Sequence, residues 1–272
     1  MDLDFSEDEI QRFSRHILLR EVGGTGQAKL KAARVLVVGA GGLGSPLMLY
    51  LAAAGIGTIG VIDDDVVDLS NLQRQIAHTT DRIGTPKVAS ATQAAHAINP
   101  DLKVEAHAAR LSADNALDLI GRYDVVCDGT DNFATRFLVA DACVLAKRTL
   151  VSAAVLRFEG QLSVFKPHAG GPCYRCLYAE PPAPGTVPTC SEAGVLGVVT
   201  GVMGTLQATE VLKEILGIGD TLSGRLLVWD ALSARFRDIK LRPDPSCALC
   251  GPHATIKDLT AHRTPDGSTH AG

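Results

Sequence analysis

The stretch from Val35 to Ile62 constrains the fold more than any other part of the sequence, because it contains no charged residue. A membrane-spanning helix would account for the missing charges, but the interval also holds seven glycines and Pro46. Both of its ends have the composition of strands. A buried strand, loop, helix and second strand therefore fits this interval better than a lipid span, and we expect no membrane segment.

Three glycines in this stretch, Gly39, Gly41 and Gly44, have the G-x-G-x-x-G spacing of a dinucleotide-binding loop. The apolar strand RVLVVG precedes them and the helical segment PLMLYLAAAG follows, which is the context that such a loop requires. Glycines let the backbone approach a phosphate, and the start of the next helix offers free N–H groups. Tight strand–helix packing is the alternative explanation, but the context favours nucleotide binding.

Charged residues continue the pattern after the second strand. Asp63 falls where a dinucleotide site places its ribose-binding acid. Asp64 and Asp65 are interpreted as solvated turn acids. Arg74 and Lys87 follow, and cations beside a glycine loop suit a triphosphate better than a nicotinamide. Either cation, taken alone, is equally compatible with ordinary surface charge.

Strands alternate with helices as far as Ala154, which predicts an α/β fold with a doubly wound, mostly parallel Rossmann-like sheet. Beyond this point the apolar residues alternate, so we expect antiparallel strands to extend the sheet. We interpret residues 1–250 as a single domain, with a nucleotide-binding half at about 1–154 and a second half at about 155–250. The polar tail, residues 251–272, is expected to be disordered.

The segment DGTDNFATR places Asp131 and Asn132 just after the fourth parallel strand, at the edge of the sheet where Asp63 should also lie. Carboxylate oxygens are ligands that Mg²⁺ prefers when it is bound to nucleotide phosphates. Asp131 is therefore a candidate Mg²⁺ ligand. Capping of the next helix is an alternative role that this segment alone leaves open.

Four of the seven cysteines form two C-x-x-C pairs, Cys173 with Cys176 and Cys247 with Cys250. Two such pairs supply the four thiolates of a tetrahedral zinc site, which leaves no open position for catalysis. The pattern indicates a structural zinc. Two independent redox dithiols are the alternative.

The other three cysteines stand alone. Cys190 lies in a glycine- and proline-rich stretch ahead of a helix start, a setting that can lower the pKa of a thiol. The residues leave a reactive and an inert role equally open for it. Cys127 and Cys143 lie in apolar segments and are expected to be small buried residues.

The overall composition excludes several classes of protein. With 26 basic and 30 acidic side chains the formal charge is −4, which argues against a nucleic-acid partner. The acidic N-terminus lacks the basic and apolar parts of a signal peptide, and seven cysteines without an export signal indicate a reducing compartment, so we expect the cytoplasm. The eight histidines form no ligand set and are expected to be solvated.

Taken together, these motifs resemble the MoeB/ThiF/HesA family, which is related to the adenylation half of ubiquitin-activating enzymes. The resemblance runs from RFSRHILL through GAGGLG, DLSNLQRQ, GTPKV, GTDN, CYRC and GVMGTLQATEVLK to the last C-x-x-C, so it covers nearly the whole chain. Proteins of this family use ATP and Mg²⁺ to adenylate the C-terminal glycine of a small ubiquitin-like sulfur-carrier protein.

The resemblance assigns roles to individual residues. It implies that Asp63 holds the ATP ribose, that Asp131 binds Mg²⁺, and that Arg74 and Lys87 act on the phosphates. It also implies a homodimer, in which Arg15 reaches into the active site of the partner subunit. The other residues that it places around ATP are Gly39, Gly41, Gly42, Gly44, Ser70, Asn71, Leu72, Gln73 and Asn132.

The partner implied by the resemblance is a MoaD- or ThiS-like carrier that ends in Gly-Gly and binds to the second half of the domain. Cys190 matches a loop cysteine that can link covalently to the carrier in the ThiF-like branch. We expect a separate protein to supply the sulfur, because the sequence ends shortly after Cys250. CYRC, TCSEAGV and PSCALC favour the MoeB branch and molybdopterin synthesis. Thiamin synthesis, cysteine synthesis and tRNA thiolation remain open.

Other functions account for less of the sequence. An NAD-dependent dehydrogenase explains the glycines and Asp63 but leaves Arg74, Lys87 and the zinc site unexplained. A non-catalytic docking protein stabilised by zinc would not need the polar residues around the expected phosphates. Within the family, an adenylating dehydratase that acts on modified tRNA is a more distant alternative.

Overall fold

An eight-stranded sheet forms the centre of the molecule in the computed structural model, which describes residues 5–183, 185–186 and 193–263. The strands are β1 (Arg34–Val38), β2 (Thr58–Ile62), β3 (Lys103–His107), β4 (Val125–Asp128), β5 (Thr149–Leu156), β6 (Glu159–Phe165), β7 (Arg225–Asp230) and β8 (Arg235–Lys240). Their order across the sheet is β3-β2-β1-β4-β5-β6-β7-β8. The first five strands in this order run parallel, and β6, β7 and β8 extend the sheet with antiparallel pairing. The predicted fold class is confirmed.

The helices of the described residues are α1 (Glu7–Ile17), α2 (Gly23–Ala32), α3 (Gly44–Ala54), α4 (Lys87–Ile98), α5 (Ala116–Gly121), α6 (Phe133–Leu145), α7 (Tyr174–Leu177) and α8 (Gly197–Leu216). The segment of α2 carries no helix signal in the sequence, because its three glycines disfavour a helix. Tertiary packing overrides this tendency: Leu30 is buried in the core, and Gly26 lies close against Leu216 of α8.

The chain reverses its direction of travel across the sheet between β1 and β4. It moves outward from β1 through β2 to β3, and then returns to the other side of β1 for β4 and β5. The carboxyl ends of β1 and β4 therefore flank a topological switch point, where open α/β sheets bind their ligands.

Both faces of the sheet are covered, which explains the charge-free sequence of its central strands. Val35 and Val37 of β1 pack into one apolar cluster with helices α3, α4 and α8. Leu36 and Val38 point the other way, into a second cluster with helices α5, α6 and α7. Among the described residues, no helix combines the length and the apolar character needed to cross a bilayer.

The expectation of a disordered tail is wrong for residues 251–263. Leu259 is buried in the cluster beneath α6, and His262 Nε2 lies 2.7 Å from an Asp141 carboxylate oxygen. These contacts order a segment that looks polar in the sequence, because its few apolar residues pack against the rest of the molecule: Leu259 in this cluster and Ile256 against the cysteine cluster. Residues 264–272 lie outside the described part of the chain.

Candidate functional site

A cavity of about 530 Å³ opens at the carboxyl edge of the parallel strands, beside the switch point. Its walls come from the segments that follow β1, β2 and β4 and from the first turns of α4 and α8. The predicted site residues that line it are Gly39, Gly41, Gly42, Asp63, Arg74, Lys87, Asp131 and Asn132. The fold thus brings together residues that lie far apart in the sequence.

The glycine loop connects β1 to α3 and forms the floor of this cavity. Gly39 has φ = +91°, which favours glycine, and a Cβ on Gly44 would lie 1.9 Å from the Gly39 carbonyl oxygen. Gly41 is different, since a Cβ there would meet only the Gln75 side chain, at 3.7 Å. Gly39 and Gly44 are therefore required by the turn itself, while Gly41 leaves space at the cavity.

The Asp63 carboxylate is held against the glycine loop by two backbone donors. The Ala40 N–H donates to Oδ2 and the Asp65 N–H donates to Oδ1, each at 2.8 Å. Burial raises the pKa of Asp63 above its usual value, although these two hydrogen bonds oppose the rise. Each carboxylate oxygen keeps a lone pair for further donors, such as the hydroxyls of a ribose.

The two predicted cations line the same cavity, together with Arg110. Lys87 is the first residue of α4 and is only 5% exposed, and its Nζ lies 2.7 Å from Asp65 Oδ2. Asp65 is thus an ion-pair partner rather than the purely solvated acid that we expected. Arg74 is half-buried and donates from Nη1 to the Ser70 carbonyl oxygen at 3.0 Å. The arrangement places positive charge where a polyphosphate would meet the glycine loop.

The Asp131 carboxylate is exposed at the cavity and forms no hydrogen bond or salt bridge within the described residues. The cap of helix α6 is the neighbouring Asn132, whose Oδ1 accepts from the Thr135 N–H at 2.9 Å. Asp131 therefore remains available for a ligand or a cation. The carboxylates of Asp63, Asp64 and Asp65 also lie close together, with one oxygen of each within 4.8 Å of the others.

His78 supports the glycine loop from beneath, a role that sequence reasoning missed. The expectation that it is solvated is wrong: it is 4% exposed, its Nε2 lies 2.9 Å from the Ala40 carbonyl oxygen and its Nδ1 lies 2.9 Å from Ser90 Oγ. Burial lowers the pKa of His78, and the nearby Lys87 and Arg82 act in the same direction. Ala40 is 38 positions away in the chain, so no local pattern marks this histidine.

Several predicted nucleotide-site residues do not line the cavity. The segment that contains Ser70 and Asn71 forms a 3₁₀ turn at Leu69–Asn71, just before Arg74. Arg15 lies exposed in the last turn of α1. The other residues in this group are Gly44, Leu72 and Gln73. Cys190 lies outside the described residues. The roles predicted for all of them stay predictions.

Two loops that are more than 70 residues apart in the sequence bring the four cysteines of the C-x-x-C pairs together. The Sγ–Sγ distance is 3.8 Å for Cys173–Cys176, 3.5 Å for Cys173–Cys247 and 3.4 Å for Cys176–Cys250. A tetrahedral ion with metal–sulfur bonds of about 2.3 Å would separate its sulfurs by about 3.8 Å. The cluster therefore fits a tetrahedral metal ion, and its sulfurs are too far apart for disulfides.

A buried ion-pair network supports this cysteine cluster. Arg175, which lies inside the first C-x-x-C, donates to both carboxylate oxygens of Asp141 at 2.8 Å, and His262 contacts the same carboxylate. Burial alone would raise the pKa of Asp141, but the bonds from His262 and Arg175 outweigh it and lower the pKa. The network ties the cysteine loop to α6 and to the C-terminal segment.

A second cavity, of about 290 Å³, adjoins the first at Asp131 and Val155. It lies between β5, β6 and the helices α6 and α7, and its walls are mainly apolar, including Phe133, Leu162 and Tyr174. A mainly apolar cavity that opens beside a carboxylate-lined cleft can accept an extended chain whose end must reach that cleft.

Comparison with known proteins identifies the family. The model of the ThiF family matches residues 13–249. The sulfur carrier protein adenylyltransferase of Thermus thermophilus is 48% identical over 259 residues, which are 94% of this chain and 96% of that protein. The adenylyltransferase and sulfurtransferase MOCS3 of Bos taurus is 53% identical over 265 residues, 97% of this chain. This chain spans only 58% of the length of the bovine protein.

Solved structures agree on the fold. Escherichia coli MccB in complex with MccA-N7isoASN has a TM-score of 0.78 and 23% sequence identity, and the match covers 88% of this chain and 74% of MccB. The structure of MccB with ATP has a TM-score of 0.74, also at 23% identity, with 90% of this chain and 75% of MccB covered. The family model and the relatives at about half identity confirm the resemblance seen in the sequence: the chain belongs to the ThiF family.

Proposed function

We propose that this protein uses ATP to adenylate the C-terminal glycine of a ubiquitin-like sulfur-carrier protein, which activates the carrier for thiocarboxylate formation. The observation that carries the proposal is the charge distribution of the larger cavity. Lys87 and Arg74 line it together with the glycine loop, while Asp131 forms no hydrogen bond or salt bridge within the described residues. The names of the relatives from Thermus thermophilus and Bos taurus support the same activity.

The chemistry accounts for these residue types. The nucleophile is a glycine carboxylate, which is already ionised at pH 7, so the reaction needs no general base. It needs a carboxylate brought to an α-phosphate although both groups are anionic. Lys87, Arg74 and the backbone N–H groups of the glycine loop supply that positioning and charge stabilisation. A dehydrogenase would have no use for the two cations at this position.

Mg²⁺ is the cofactor that the unpaired Asp131 carboxylate fits, because hard cations bound to phosphates prefer carboxylate oxygen and water. When bound, the ion would neutralise phosphate charge. Asp63, held by the Ala40 and Asp65 N–H groups, would accept the ribose hydroxyls. The four clustered cysteines would hold a structural zinc ion, which ties the loops of Cys173 and Cys247 together.

The second cavity offers a route for the carrier's tail. It meets the nucleotide cavity at Asp131 and Val155, so an extended Gly-Gly end that passes through it would arrive beside the phosphates.

We propose a MoaD-like carrier and molybdopterin synthesis, with a ThiS-like carrier and a covalent link to Cys190 as the alternative. Arg15 lies exposed on α1, which suits its proposed role across a homodimer. The cytoplasmic location stays a prediction.

ATP–pyrophosphate exchange tests the proposal. Labelled pyrophosphate should enter ATP only when a carrier ending in Gly-Gly is present, and a carrier without its last glycine should give no exchange. Lys87→Ala should abolish exchange. Lys103→Ala should not, because Lys103 lies at the amino end of β3, whereas the cavity lies at the carboxyl ends of the parallel strands. Exchange that proceeds without any carrier, or equally well in Lys87→Ala, would contradict the proposed function.

A further inference from the structure

Gln75 is a buried residue at the nucleotide cavity whose side chain has no partner among the described residues. It is 4% exposed, its Oε1 is buried without a hydrogen bond, and its Nε2 donates none within the described residues. The backbone of Gln75, in contrast, forms two hydrogen bonds. The Gln75 N–H donates to the Asn71 carbonyl oxygen and the Gln75 carbonyl oxygen accepts from the His78 N–H, each at 3.0 Å. The turn thus fixes the place of a carboxamide that no neighbour uses.

The carboxamide lies at the glycine loop. Its Nε2 would be 3.7 Å from a Cβ placed on Gly41, and Gln75 lines the cavity together with Arg74 and Lys87. A purely space-filling role would be served better by an apolar side chain of the same length, since burying an unpaired amide is unfavourable. Methionine would fill this position without that penalty. The Nε2 donor at the cavity is therefore best explained by a ligand atom that accepts a hydrogen bond from it. The buried Oε1 is itself an acceptor, so such a ligand does not complete it.

The neighbours of Gln75 indicate which part of the ligand it meets. Gly41 belongs to the loop that approaches phosphates, and Arg74 and Lys87 are two of the three cations that line the cavity, with Arg110. Phosphate oxygens only accept hydrogen bonds, so the amide N–H groups of Gln75 are the matching donors. A neutral donor fixed by its turn adds direction to a site in which long cationic side chains supply mainly charge.

We propose that Gln75 is a nucleotide-binding residue, whose Nε2 donates a hydrogen bond to a phosphate oxygen of ATP beside Gly41. His78 helps to position both the glycine loop and Gln75. Its Nε2 contacts the Ala40 carbonyl oxygen, and its backbone N–H donates to the Gln75 carbonyl oxygen. This inference rests on the proposed function for the identity of the ligand and adds a contact to it.

The test is calorimetric titration of ATP and of adenosine into the whole protein and three variants. Gln75→Met keeps the volume and removes the donor, and it should weaken ATP binding about tenfold or more while leaving adenosine binding unchanged. Gln75→Glu should weaken ATP binding further, and added salt should reduce the difference, because the new carboxylate repels the phosphates. Gln93→Met is the matched control: Gln93 is an exposed glutamine of α4 outside the cavity, and ATP affinity should not change.

Each outcome decides a different point. If Gln75→Met keeps wild-type ATP affinity, or loses affinity for adenosine as much as for ATP, the phosphate contact is wrong. Thermal unfolding serves as the structural check: Gln75→Met should have a melting temperature equal to or above that of the wild type, and a clear decrease with unchanged ATP affinity would show a structural role instead. A protein that binds ATP through Gln75 but exchanges no pyrophosphate with any carrier would overturn the proposed function and leave this inference standing.

Discussion

The Asn132 side chain accepts a hydrogen bond from the Thr135 backbone N–H at 2.9 Å, and this bond caps helix α6 at the edge of the nucleotide cavity. The sequence left open whether Asp131 serves as the cap or as a ligand for Mg²⁺. Because Asn132 takes the capping role, the two adjacent residues should respond differently to substitution.

Asn132→Ala should lower the free energy of unfolding by about 1 kcal/mol, which is typical for the loss of a helix cap. Asp131→Ala should leave stability within about 0.5 kcal/mol of the wild type, since its exposed carboxylate forms no hydrogen bond or salt bridge with the described residues, although the substitution loses a charge attraction to Arg136. In pyrophosphate exchange Asp131→Ala should be inactive at every Mg²⁺ concentration. Unchanged exchange in Asp131→Ala would contradict its assignment as the metal ligand.

The ion pair between Lys87 and Asp65 should compete with ATP. Its 2.7 Å contact occupies an ammonium group that the phosphates need, and Asp65 adds negative charge to a cavity that must accept a polyanion. Asp65→Asn should therefore tighten ATP binding about two- to fivefold, the range expected for an exposed partner. Asp64→Asn removes the same charge without releasing Lys87, so it should have a smaller effect. Weaker binding in Asp65→Asn would mean that Asp65 is required to orient Lys87.

The buried His78 should make stability depend on pH. Burial lowers the pKa of His78 in the folded protein below the unfolded value of 6.5. Below that pH the unfolded chain binds a proton that the folded protein excludes, so stability falls as the pH falls and is unaffected above it. His78→Gln removes the titrating group. The wild-type minus variant difference in unfolding free energy should be constant from about pH 7 to 8 and decrease below about pH 6.5. A difference that grows towards acid would contradict the buried neutral histidine.

The cysteine cluster should bind about one zinc ion per chain. Cys173→Ser should lose the ion and lower the melting temperature, whereas Cys143→Ser should keep it, because Cys143 is a buried thiol outside the cluster. Metal analysis of the purified proteins provides the comparison. A wild-type protein with no zinc and two reversible disulfides would support the redox alternative.

Much of the fold could be predicted because its strongest signals are local. The charge-free strands around Val35 reflect burial on both faces of a parallel sheet, and the C-x-x-C pairs mark the cysteine cluster directly. Helix α2 could not be predicted, since its Leu30 packs in a core cluster with Leu216, a residue from a distant part of the chain. The packing of Leu259 was missed for the same reason.

The residues of the candidate site also differ in how far the sequence alone predicts them. Gly41, Asp63 and Lys87 lie in recognisable motifs, and the fold places all three at one cavity. Gln75 ends the DLSNLQRQ motif, which assigned it no role, and His78 carries no signal of its own. Their significance comes from the Gly41 and Ala40 backbone, which only the folded chain brings to them.

An isotope experiment tests the central claim most directly, namely that this cavity directs a terminal carboxylate to the α-phosphorus of ATP. A carrier labelled with ¹⁸O in its C-terminal glycine carboxylate is incubated with the protein, ATP and Mg²⁺, and the product is then cleaved with hydroxylamine, which attacks the carbonyl carbon. If the carboxylate oxygen has bonded to the α-phosphorus, the released AMP carries one ¹⁸O atom in its phosphate. AMP without the label would contradict the account.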